Sequence, residues 1–302
     1  MTRILIATAA LSVALASHDA VAQGPFRSRC GADVHAGERP GFTPLPQGSI
    51  FCPLVADPKV DRSSASYLNG DFASIADPAA DDMTNLTAIG LSDSFGLFRI
   101  AGSRAGDGFQ LDLVGGIYAQ FDLDQPSFDL INADYLVGLP LTFRIRGFSS
   151  RLRLYHQSSH LGDEFLISRQ PERQNLSFES LELILSQESG PLRLYAGGET
   201  FFRRQPEIAV ESRLAHGGIE LRPARLGASR LVAALDVKVI EARDWEVAWS
   251  ARAGFEIARA PGAGHPPTIV SLLGEYYNGP APYGQFFPDD IRYLGFGLFF
   301  SL

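Results

Sequence analysis

Lysine is nearly missing from this chain. It occurs only at Lys59 and Lys238, so the 26 basic residues are almost all arginine. Charged residues of all kinds reach 20%, below the roughly 25% usual in soluble proteins. Positive charge is in deficit, with a net charge of −8 and a pI of about 5.3. That excludes the basic footprint of a nucleic-acid-binding protein. Past the N-terminus no stretch offers the ~20 consecutive apolar residues of a spanning helix. A mean hydropathy of +0.02 is also too low for a polytopic helical membrane protein. The sequence holds no glycine-rich phosphate loop and no zinc-ligand spacing. Disorder is excluded by an apolar content of 45%.

What is present begins with an export signal. Arg3 supplies a positive start, residues 4–16 an apolar stretch, and Ala20-Val21-Ala22 a small-residue cleavage site. Residues 1–22 therefore read as a signal peptide, with the mature chain starting at Gln23. Residues 23–63 carry Pro40, Pro44, Pro46, Pro53 and Pro58, which oppose regular structure, and read as an irregular periplasmic leader. The only two cysteines, Cys30 and Cys52, lie in it. A disulfide suits an oxidising compartment, and two free thiols are the alternative.

From residue 64 the hydrophobic pattern has period two. Val247, Trp249, Ala251, Ala253, Phe255 and Ile257 alternate with polar Glu246, Ser250, Arg252 and Glu256. Such alternation marks strands, whose successive side chains point to opposite faces. Twelve segments follow the pattern: 64–73, 94–102, 108–122, 134–147, 150–160, 175–187, 192–202, 211–222, 229–242, 245–259, 268–278 and 291–302. Many have the ~9–11 residues of a membrane-spanning strand, and their number is even, as in bacterial barrels. The expected fold is all-β: an antiparallel transmembrane β-barrel of about 12 strands over residues 64–302, in the bacterial outer membrane. Arg144, Arg146, Asp236, Lys238, Arg252 and Glu256 would face its lumen, as channel lining or as ion pairs that fill it. Long connections such as 74–93, 123–133 and 161–174 would face outside, and shorter ones such as 103–107 and 148–149 the periplasm. Leu294, Phe296, Leu298, Phe300 and Leu302 form a terminal apolar stripe, of the kind that outer-membrane assembly machinery engages.

One polar cluster falls on the lipid side. Leu152 and Leu154 define that face of their strand, and His156, Ser158 and His160 continue it toward the outer end. On the next strand Leu181, Leu183 and Leu185 share a face with Glu179, Ser177 and Asn175. If Leu154 pairs with Leu181, His156 faces Glu179, whereas a two-residue slip would set Ser177 there instead. Hydroxyl, imidazole and carboxylate in one patch are the parts of an acyl-transfer site. Ser158 is then the nucleophile, His156 the base, and Glu179, with Asn175 as alternative, the orienting group. The plain alternative is a polar strand end, since a polar residue near the interface costs only ~0–1 kcal/mol. His160, Asp163 and Glu164 are candidates for a metal or headgroup site. From the residues alone no cofactor is expected.

His156-Gln157-Ser158 resembles the His-x-Ser motif of outer-membrane phospholipase A and of the lipid A 3-O-deacylases. The serine is followed here by Ser159-His160, where those families have asparagine. The resemblance implies a lipid acyl-ester hydrolase acting on outer-leaflet phospholipid or lipid A. It also implies outer-membrane lipids as partners, and, from the phospholipase, Ca²⁺ dependence and a homodimer. A longer likeness runs through Phe121–Asp124, Pro126–Tyr135, Tyr155–Glu164, Leu273–Gly279 and Tyr293–Gly295. By these the chain is identified as a member of the bacterial family labelled domain of unknown function 1207, which implies export and brings no activity. The alternative to a hydrolase is a non-enzymatic barrel, either a narrow pore or a structural protein.

Overall fold

The period-two segments form strands, and the strands close on themselves. The computed structural model describes residues 30–31, 40–72, 83–171, 176–205, 213–223, 225–259 and 268–300. The signal segment 1–22, Asn175 and Leu302 lie outside the described residues. Twelve antiparallel strands make a closed ring: β2 (Ser63–Asp71), β3 (Thr84–Ala101), β4 (Gly108–Asp122), β5 (Leu130–Ile145), β6 (Phe148–Leu161), β7 (Ser177–Ser189), β8 (Leu192–Gln205), β9 (Arg213–Leu221), β11 (Ser229–Ile240), β12 (Glu246–Arg259), β13 (Thr268–Pro280) and β14 (Asp290–Phe300). Each pairs with its neighbours in chain order, and β14 pairs with β2 to close the barrel. Two short strands stand outside the ring: β1 (Gly41–Pro44) on the end of β3, and β10 (Arg225–Leu226) on β11.

The alternation sorts side chains as the barrel demands. On β12, Trp249, Phe255 and Ile257 are exposed on the outer wall, while Ser250, Arg252 and Glu256 are buried in the lumen. The outer wall elsewhere is leucine-rich, with Leu139, Leu141, Leu152, Leu154, Leu181, Leu183 and Leu185 all exposed. Such an apolar band suits a lipid surround and would be a liability in water. Inside, arginine and carboxylate pair. Arg252 meets Glu275 at 2.8 Å, and Glu182 takes both Arg151 and Arg153 at 2.9 and 2.8 Å.

Two expectations are corrected here. Strand β3 starts at Thr84 rather than 94, which shortens the connection expected over 74–93. Its first turn reverses the pattern. Leu86 is fully buried inside, while Asn85 and Thr87 face out, because an apolar cluster caps this mouth. Arg146 does not face the lumen. It sits exposed in the β5–β6 turn at φ 57°.

The leader also departs from its expected place below the barrel. Residues 50–62 fill the lumen, with Ile50, Leu54, Val55, Ala56 and Val60 buried. An irregular segment there needs partners for its backbone groups, and wall side chains supply them. Arg252 donates to the carbonyls of Val55 and Asp57 at 2.9 and 2.8 Å. Arg193 donates to Cys52 O at 3.0 Å, and Glu220 accepts from the Val55 amide at 2.9 Å. The guanidinium's five fixed donors let one side chain hold a wall carboxylate and a leader carbonyl together, which suits arginine better than lysine. Lys238 pairs with Asp57 at 2.7 Å, and Asp61 bridges Arg151 and Arg153 at 2.8 and 3.0 Å. Cys30 and Cys52 are joined in a disulfide. At the long-loop mouth, helix α1 (Asp163–Arg169) and the segment 281–289 contribute Phe165, Ala281 and Phe286 to an apolar cap with Leu68, Phe72 and Tyr293.

Candidate functional site on the outer wall

Strands β6 and β7 pair in the first of the two registers that the sequence left open. Leu154 faces Leu181, His156 faces Glu179, and Ser158 faces Ser177. His156 and Ser158 are half-buried and Gln157 is buried, so the first two share the outer face and Gln157 points inward. The His156 Nδ1 lies 3.4 Å from Glu179 Oε1. This sets the imidazole beside the carboxylate on the outer face, with Ser158 two positions along the same strand. On the other flank Tyr135 of β5 faces Ser158, and its ring meets the edge of His160 at 5.6 Å.

Arg203, which the strand alternation does not point to, also stands beside Glu179. Its Nε lies 4.0 Å from Glu179 Oε2, with the guanidinium largely exposed. A bulge puts it there. Ser177 pairs with Gln205 but Glu179 with Phe202, and Arg203 takes a left-handed backbone at φ 49°. The signal was the run Phe201-Phe202-Arg203-Arg204, which breaks the alternation as an extra strand residue must.

His160, Asp163 and Glu164 are exposed on this rim. Among the described residues no three His, Cys, Asp or Glu side chains converge as a metal-holding group. These three candidates therefore do not fit a calcium site by themselves. The Gly162 amide, at the N-cap of α1, donates to Ile131 O at 2.9 Å, so it is not free to receive a developing oxyanion.

Behind the patch, on the lumen side, the same hairpin is tied together. Asp134 accepts from Ser159 Oγ at 2.5 Å and from the Gly284 amide at 3.0 Å. Gly284 has to be glycine, since a Cβ there would meet Asp134 and Ser159 oxygens at 2.4 and 2.3 Å. Lys59 of the leader completes the group, with Nζ 2.6 Å from Asp134 Oδ2 and 3.3 Å from Gln157 Oε1.

Comparison with known proteins agrees with the fold. The family described as protein of unknown function (DUF1207) matches residues 29–302. Outer membrane phospholipase A from Escherichia coli superposes with a TM-score of 0.55 at 18% identity, over 80% of this chain and 90% of that one. The Salmonella typhi outer membrane phospholipase, a dimer with bound calcium, gives 0.53 at 16% identity over the same shares. No curated protein matches the chain.

Proposed function

Since the chain belongs to the DUF1207 family and has the outer-membrane barrel fold, we propose that it hydrolyses acyl esters of outer-leaflet lipids at the exterior patch of β6 and β7. The observation that carries this reading is the His156–Glu179 contact at 3.4 Å on the outer wall, with Ser158 two residues along the same face. A site on the lipid side, near the long-loop rim, suits a substrate whose ester bonds lie at that depth. A lumen filled by residues 50–62 could not serve one. His156 Nε2 takes the Ser158 proton as Oγ attacks the ester carbonyl. Glu179 holds the ring and balances the imidazolium, and water then releases the acyl group from Ser158. Arg203 sets a positive charge beside the site, which suits a phosphate-bearing headgroup.

The neighbouring phospholipase structure is a calcium-bound dimer, so calcium and self-association enter the assay as variables. His160, Asp163 and Glu164 do not form a calcium site among the described residues. The test is fatty-acid release from phospholipid and lipid A in mixed micelles by the purified chain, with and without Ca²⁺. Release is expected from one lipid class and lost in Ser158→Ala. Equal release by that variant would remove Ser158 as nucleophile, and no release from either lipid would end the hydrolase reading. The filled lumen favours one second reading, a structural barrel rather than a pore.

A further inference from the structure

The exterior patch has a support on its inner side that comes from outside the barrel wall. Along β6 the residues alternate between faces, so Ser158 stands between Gln157 and Ser159, both buried inward. Lys59 touches Gln157 directly at 3.3 Å. It reaches Ser159 through Asp134, by contacts of 2.6 and 2.5 Å. Asp134 also faces Ser159 across the β5–β6 ladder, directly beside the pair Tyr135–Ser158. Two residues on, Asp61 holds Arg153 and Arg151 lower on the same strand. The inner face of β6 is thus gripped by the leader along the stretch whose outer face carries His156 and Ser158. Lys59 is one of only two lysines in the chain, and Lys238, the other, is spent on the leader's own Asp57.

We infer that Lys59 is a positioning residue for the exterior site: it clamps Gln157 and the Asp134–Ser159 pair from the lumen, and so sets how the strand presents Ser158 and His156 on the outside. This rests on the hydrolase reading above. The physical warrant is the steepness of catalysis with geometry, since a displacement of about 1 Å, caused far from the chemistry, can cost on the order of 10²-fold in rate. A strand transmits such a shift directly, because residues 157 and 158 share a peptide plane while their side chains point to opposite faces.

The experiment uses the full chain refolded in detergent, with phospholipid in mixed micelles as substrate and amide hydrogen exchange followed by mass spectrometry. Lys59→Met is expected to keep the heat-modifiable barrel, to speed exchange over residues 155–160, and to lower kcat about tenfold with KM unchanged. Lys59→Arg is expected to restore both, since it returns the charge and the donors. Lys238→Met removes the ammonium partner of Asp57 but leaves Asp57 bonded to the Lys59 amide, and is expected to lower kcat less than Lys59→Met does. Should Lys59→Met fail to fold, Lys59→Gln keeps a donor for Gln157 without the charge and should show the same fall in kcat. Unchanged exchange, faster exchange with unchanged kcat, or an equal loss in Lys238→Met would overturn the inference while the hydrolase reading stands. A wild-type chain without activity would overturn both, and the exchange data would still report whether Lys59 holds β6.

Discussion

Glu179 reaches His156 from the neighbouring strand, and a strand-to-strand contact of this kind depends on register alone. Both side chains remain partly open, with 42% and 29% of their surfaces exposed, so the pair adds little to stability and its value lies in orientation. Glu179→Gln keeps the shape but removes the charge that balances the imidazolium formed in the proposed reaction. It is expected to leave the melting temperature unchanged and to lower kcat by roughly 10²-fold with KM unaltered, read from steady-state fatty-acid release. A wild-type kcat in that variant would mean that Glu179 only decorates the strand end. The shared outer face was legible in the sequence because Leu152, Leu154, Leu181, Leu183 and Leu185 fix which face each strand shows to lipid, but a two-residue slip keeps that face, so the pairing with Glu179 rather than Ser177 came from the structure. Arg203 was not legible, because a bulge moves a residue off the period on which that reading depends.

At the scale of elements the leader segment is the unusual part. Its residues 50–62 are held by side chains from strands across the whole barrel, and Asp57 illustrates the electrostatics. Burial pushes the Asp57 carboxyl up, but the Lys238 ammonium and the nearby His216 more than offset this and hold it well below the usual carboxylate range. A carboxyl depressed on folding stabilises the protein above its unfolded value and loses that effect as pH falls. Asp57→Asn is therefore expected to lower the melting temperature in detergent by an amount that persists from about pH 8 to about pH 5 and narrows only below about pH 4. A difference that disappears near neutrality would show that the pair does not hold the leader. The disulfide Cys30–Cys52 ties the start of the same segment, and closing a loop of this size stabilises by about 3 kcal/mol in the chain-entropy account.

The molecule as a whole is a closed barrel with an apolar exterior and a lumen occupied by its own chain. Ion pairs such as Arg230–Glu256 and Arg222–Glu256, at 2.6 and 3.3 Å, share the remaining lumen with the leader. At the mouth, α1 and residues 281–289 pack over Leu68 and Tyr293. The intact protein is expected to insert into planar bilayers without steady conductance at either polarity. Stepwise channels from the wild-type chain would contradict the filled lumen and return the pore reading. Without conductance, any activity belongs to the outer wall or to the rims.

The sequence by itself determined the strands, their number and the outward face of His156, Ser158 and Glu179. Period-two alternation is written locally, every few residues, and an even count of such segments closes naturally into a barrel. The tertiary structure decided whatever joins segments far apart in the chain. Asp61 meets Arg151 across 90 positions, and Val55 meets Arg252 across 197. Nothing in the proline-rich stretch 40–58 signals that it threads the lumen. Its partners are ordinary inward-facing arginines and glutamates, which would equally line a pore. Only ring closure, by bringing all twelve inner faces around one axis, makes a space in which an irregular segment can satisfy its backbone. The same closure puts Lys59 behind Ser158, a neighbourhood that no local pattern can announce.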